Sequence, residues 1–215
     1  MKRALPFIIL ILLAAGGIGA VSYFGSQPTE TPSAASSPAD AIAVDDWVAG
    51  NKDAGVVLVE YSDFQCPACG AYHPIVKQLV EEMGNDFAFI YRHFPLQQHK
   101  HAKLAAYAAE AAGNQGKFWE MHAMIFEHQR DWSDVSDARD TFFEYAKSLG
   151  LDLVRFEKDI NSDEIANKVS KSYSTGMKLR ISGTPTFFLN GKKMEAPRSY
   201  DEFKQTVQNE LSAKK

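Results

Sequence analysis

Apolar and polar residues change their spacing several times along this chain, and each change marks an element. The first run, "ALPFIILILLAAGGIGAVSYFG" from Ala4 to Gly25, is uncharged and largely apolar. "SQPTETPSAASSPAD", from Ser26 to Asp40, is rich in Pro, Ser, Thr and Ala, and reads as a flexible or semi-extended tether. "GVVLVEYSDF" is a β-branched run broken by the turn signal Ser62-Asp63, and predicts a buried strand. Pro67 then stands where a helix can begin, because its missing N–H costs nothing in the first turn. The following "ACGAYHPIVKQLVEEMG" places Ile75, Val76, Leu79, Val80 and Met83 at helical spacing and ends at Gly84. Pro74 within it is expected to kink the helix or displace one backbone bond. "DFAFIYRHF" is a second strand, and the strand–helix–strand order predicts a parallel pair with a crossover helix.

A longer helical stretch follows. "HAKLAAYAAEAAG", "QGKFWEMHAMIFEHQ" and "TFFEYAKSLG" are amphipathic segments separated by glycine or polar breaks, and another surrounds Ile165, Val169 and Tyr173. In "ISGTPTFFLNGKKMEAP", Thr186 to Asn190 reads as a strand and Asn190-Gly191 as a hairpin turn. "SYDEFKQTVQNEL" opens with a capping box, Ser199-x-x-Glu202, and carries Tyr200, Phe203, Val207 and Leu211 as its apolar stripe. The expected order is β-β-α-β, a block of helices, then β-β-α, with the first strand near Ala43 to Trp47.

Composition supports a folded chain: 45% apolar and 23% charged residues exclude global disorder. A net charge of −4 without a basic stripe argues against nucleic acid as a partner. Lys2 and Arg3 ahead of the apolar run mark it for export, with the positive end in the cytoplasm. The run is long enough to span a membrane and outlasts an ordinary signal core, so it reads as a retained anchor in the cytoplasmic membrane at residues 4–25. Small residues from Gly16 to Ala20 would also permit cleavage as a signal peptide. Either way the body of the protein is expected outside the cytoplasm, periplasmic or on the outer face, where disulfides persist.

The chain has two cysteines, Cys66 and Cys69, in the single C-x-x-C of "SDFQCPACGAYH". Cys66 precedes a predicted helix, where backbone N–H groups and the helix dipole favour thiolate; Cys69 lies one turn inside. Lowering a thiol pKa from about 8.5 toward 5 gains roughly thirtyfold in thiolate at neutral pH. Intrinsic nucleophilicity falls with a slope of about 0.4–0.5 and cancels that gain, so a depressed pKa chiefly makes a better leaving group. Cys66 is therefore expected as the reactive, substrate-facing sulfur and Cys69 as its partner; a strongly depressed Cys66 pKa would mark an oxidant. A metal-binding chaperone using Cys66, Cys69 and His73 is the alternative from another class, with His93, His99 and His101 nearby in sequence. Haem attachment requires histidine directly after the second cysteine, where Gly70 stands. The strand, proline and helix context favours redox chemistry; the histidines then read as solvated surface or ordinary packing. A second constellation, "ISGTPTFF", combines a relaxed Gly183 with Pro185 at the entry to an apolar strand.

"VEYSDFQCPAC", "AAEAAGNQGKFWEMHAMIF" and "ISGTPTFFLNGK" together resemble the extracytoplasmic DsbA-like thiol–disulfide oxidoreductases of the thioredoxin superfamily, over roughly Val44 to Leu211. The resemblance implies an α/β thioredoxin fold with an inserted helical domain. Its divisions would be an anchor or signal at 1–25, a linker at 26–41, a core at 42–96 and 176–215, and the insertion at 97–175. It implies that Cys66 is the nucleophile, Cys69 the resolving cysteine, and Thr184-Pro185 the cis-proline loop that meets an extended substrate peptide. Glu60, six residues before Cys66, matches a buried acid that assists proton transfer at Cys69; paired with a cation such as Arg92, it would be merely structural. The implied activity needs no cofactor and introduces disulfides into exported proteins bearing free thiols, with a membrane quinone reductase as re-oxidising partner. A reductase or isomerase would use the same sulfurs. Many strong oxidants of the family carry histidine between the cysteines; Ala68 here offers neither charge nor hydrogen bond.

Overall fold

Strand β1 (Trp47–Gly50) begins where the first strand was expected to end. Residues 43–46 instead close a turn, with Asp46 N donating to Ala43 O and Ala43 N to the Asp46 carboxylate. The computed structural model describes residues 42–214, so the anchor expected at 4–25 and the linker at 26–41 lie outside the described residues. β2 (Val57–Ser62), helix α1 (Pro67–Met83) and β3 (Ala88–His93) form the expected crossover unit, with β2 parallel to β3. β4 (Thr186–Leu189) pairs antiparallel with β2, and β5 (Lys192–Met194) with β4. The sheet order is β1-β3-β2-β4-β5. The β4–β5 turn is Asn190-Gly191 with φ of 46° and 72°, the left-handed pair that a two-residue hairpin requires.

Strand alternation sorts the sheet into two faces. Leu58, Phe89, Tyr91, Phe187 and Leu189 join the larger core with Cys69, Val76 and Leu79 of α1, and Phe203 and Val207 of α8 (Tyr200–Ala213). Val57, Val59, Tyr61, Ala88, Ile90 and Phe188 face the opposite core, with Phe94 and Ile181. Each such buried Val, Leu, Ile or Phe contributes roughly 1.5–3 kcal/mol relative to exposure. This parity corrects the suggested Glu60–Arg92 pairing. Arg92 is in register with Tyr61, donates to its hydroxyl at 3.2 Å, and holds Asp46 at 2.7 Å; Glu60 is one residue out of phase with Tyr61 and faces the other core.

Between β3 and β4 run α2 (Ala102–Gly113), α3 (Phe118–Glu127), α4 (Gln129–Trp132), α5 (Arg139–Ser148), α6 (Leu153–Ile160) and α7 (Asp163–Lys178). Short α4 and α6 were not legible as separate helices; α6 is eight residues capped by Asp152, and buries only Phe156 and Ile160. Pro74 does not break α1, which continues to Met83. The capping box of α8 is half realised: Ser199 Oγ accepts from Glu202 N, but the Glu202 carboxylate takes Arg198 N instead of Ser199 N.

Candidate redox-active site

Cys66 is the N-cap of α1, with extended backbone and Pro67 directly after it. No side chain caps this helix end, so its first-turn N–H groups are available to the sulfur. Cys69, one turn along, is fully buried, whereas Cys66 is 7% exposed; both are free thiols. Thr184 and Pro185 are joined by a cis peptide bond at the entry to β4. Thr184 O accepts from the Cys66 thiol at 3.4 Å.

The two sulfurs occupy electrically unlike places. The Cys66 thiol is lowered to about 5, first by the Cys69 thiol; burial opposes this, and the Thr184 side chain and the N–H groups of Cys69 and Ala68 reinforce it. Helix N–H donors thus contribute as expected, but less than Cys69 does. Ala68, whose side chain offers nothing, contributes through its backbone. Cys69 is pushed well above the ordinary thiol value by burial, then by its bond to Cys66 and by Glu60. Glu60 is 4% exposed on the same face of the sheet, and burial raises its carboxyl to about 7, partly offset by the Ser62 hydroxyl.

The structure brings Cys66, Cys69, Thr184 and Pro185 to one end of α1, with Glu60 near enough to act electrostatically on both sulfurs. It does not join His73 to the cysteines. His73 stacks on Phe126 at 5.1 Å and its Nε2 lies 3.8 Å from Glu127. No group of three or more His, Cys, Asp or Glu suited to a metal ion occurs among the described residues. His93, His101 and His122 are buried, so packing and not solvation accounts for them.

Asp63 does more than mark a turn. Its buried carboxylate accepts from Gln65 N, Leu96 N and His99 Nδ1, each at 2.7 Å, and fastens the loop before Cys66 to the loop after β3. Gln65 extends the fastening, donating to Ser133 O and accepting from His101 N, both at 2.7 Å. The polar pair Asp63 and Gln65 around a buried Phe64 is the signal in the sequence that such anchoring exists; its partners are more than thirty residues away.

The family profile described as Thioredoxin matches residues 43–209. Among curated proteins, the Na(+)/H(+) antiporter NhaA 3 of Salinispora tropica is 36% identical over 169 residues, 78% of this chain and 25% of that protein. The chain spans about a quarter of the length of the curated relatives it matches. Among solved structures, BdbD from Bacillus subtilis is 28% identical with a TM-score of 0.66, covering 77% of this chain and 92% of that one. Wolbachia pipientis alpha-DsbA1 has a TM-score of 0.71 over 80% of this chain and 94% of that one; at 21% identity the likeness is one of fold.

Proposed function

The chain belongs to the thioredoxin family, and from that premise we propose that it is a DsbA-like thiol–disulfide oxidoreductase that introduces disulfides into exported proteins through Cys66 and Cys69. The observation that supports this reading is the inequality of the two thiols: Cys66 lowered to about 5 beside a Cys69 pushed far up. In the oxidised enzyme a substrate thiolate attacks Cys66, forming a mixed disulfide and expelling Cys69. Cys69 holds its proton tightly, and Glu60, protonated in part near neutral pH, supplies it. A second substrate thiolate then attacks the substrate sulfur of the mixed disulfide and expels Cys66, a good leaving group because its thiolate is stable. The substrate loses two electrons and two protons in gaining its disulfide; the enzyme pair gains the electrons. Thr184 and Pro185 offer backbone to an extended substrate beside the exposed edge of Cys66.

The same reading places the activity outside the cytoplasm, with residues 4–25 as its address and a membrane partner that re-oxidises the pair. None of the described helices is long and apolar enough to cross a membrane, and 4–25 lies outside them. Equilibration of the purified chain with glutathione buffers tests the direction of exchange. A reduction potential of about −120 to −180 mV is expected; a value near −270 mV would make the protein a reductase.

A further inference from the structure

Gln129, in α4, reaches from the helical block into the loop that carries Cys66. Its Nε2 donates to Phe64 O at 2.7 Å and to Cys66 O at 2.9 Å. These carbonyls belong to the peptides that turn β2 into α1, and Cys66 O also accepts the first helical bond, from Gly70 N at 3.1 Å. Gly70 makes the room for this amide. A Cβ at Gly70 would stand 2.7 Å from Gln129 Oε1 and 3.2 Å from Nε2. Gly70 sits inside α1 and is not among the glycines of positive φ, so its missing side chain answers to Gln129 and not to its own backbone.

We infer that Gln129 is a positioning residue for the reactive cysteine, holding the Cys66 peptide so that the first-turn N–H groups of α1 are aimed at the sulfur. The inference rests on the proposed role of Cys66. Two effects act in the same direction. The amide satisfies the Phe64 and Cys66 carbonyls that turn the chain into α1, and it restrains the loop whose orientation aims the Ala68 and Cys69 N–H groups. Losing either disfavours thiolate. Among side chains of this length only glutamine fits: glutamate would turn oxygens toward two carbonyls, and methionine fills the space without a donor.

The test is the pH profile of Cys66 alkylation by iodoacetamide in the reduced full-length chain, with circular dichroism to confirm folding. The wild-type midpoint is expected near the value of about 5 held by the neighbouring donors. In Gln129→Met it should rise by at least about half a unit, roughly threefold less thiolate on the acid side of the midpoint. Gly70→Ala displaces the amide without touching position 129 and should shift the profile the same way. Added to Gln129→Met, it should shift the midpoint no further, because the group it displaces is already gone. Should Gln129→Met fail to fold, Gly70→Ala, which adds no charge and leaves position 129 intact, carries the test. A wild-type midpoint retained in the folded variants overturns the role of Gln129. A wild-type midpoint at the ordinary thiol value would remove the proposed function, and this role with it.

Discussion

The Cys66 thiol donates to the Thr184 carbonyl oxygen at 3.4 Å across 118 residues of sequence. The contact sets the segment that enters β4 against the sulfur. Replacing Cys66 with Ser is expected to abolish oxidation of a model dithiol while leaving the fold intact. Undiminished turnover by that variant would reject exchange through Cys66.

Cys69, the resolving partner in the proposed exchange, is also the strongest single support of the Cys66 thiolate. Cys69→Ala should therefore have two separable effects. Mixed disulfides with substrate should accumulate on non-reducing gels, because no internal thiol remains to release them. The midpoint of Cys66 alkylation should also rise from about 5 toward the ordinary thiol range. An unchanged midpoint would mean that the helix end alone sustains the thiolate.

Burial holds the Glu60 carboxyl at about 7, against an ordinary 4.5. The folded protein thus binds this proton more tightly than the unfolded chain. The contribution of Glu60 to stability is fully present below the unfolded value and is lost as pH rises through the folded one. Glu60→Gln should be more stable than wild type above neutral pH, by about 1–3 kcal/mol, with little difference in acid. Urea unfolding of the oxidised forms on either side of that window measures it. Superimposable curves at alkaline pH would show that Glu60 is not desolvated.

Glu110 is a buried carboxylate of the opposite kind. It accepts from Trp47 Nε1 at 2.9 Å and Lys168 Nζ at 2.6 Å, and pairs with His93 Nε2 at 2.9 Å. Burial alone would raise its pKa, but His93 and Lys168 together hold it below the ordinary carboxylate value. Its contribution is therefore present above the unfolded pKa and lost as pH falls through the folded one. Glu110→Gln should cost about 2 kcal/mol or more at neutral pH, less than a fully enclosed pair because Lys168 is partly exposed. The wild-type advantage should shrink in acid. Equal denaturation midpoints at neutral pH would contradict a net stabilising role.

Gly113 closes α2 against the Trp47 indole: a Cβ there would lie 2.3 Å from the ring. An indole stacked on Phe118 at 4.8 Å cannot swing aside without opening β1 from the helical block. Gly113→Ala is expected to destabilise by about 1–3 kcal/mol, despite the better helix propensity of alanine. A melting temperature equal to or above that of wild type would show that the edge strand yields.

Local rules made much of this fold legible. Alternation in "VVLVEYS", Pro67 at the first helical position, the Asn190-Gly191 turn and the stripe of α8 act over a few residues, and each became the element its pattern required. The cysteines declared themselves because a C-x-x-C ahead of a helix has few other uses. The first strand was expected near Ala43 to Trp47, but Ala43 to Asp46 is held in a turn by the Asp46 carboxylate and backbone, and pairing to β3 begins only at Trp47.

By itself, then, the sequence determined the crossover unit, the helix that presents Cys66, the burial of Cys69 and the strand that follows Pro185. Tertiary structure alone decided which groups face those sulfurs. Strand register sent Arg92 to Tyr61 and Asp46 and left Glu60 without a cation partner among the described residues. Chain closure brought Thr184 to Cys66, and helix packing brought Gln129 to Phe64 and Cys66. Such contacts follow from register and packing between distant segments, and periodicity within any one segment carries no record of them.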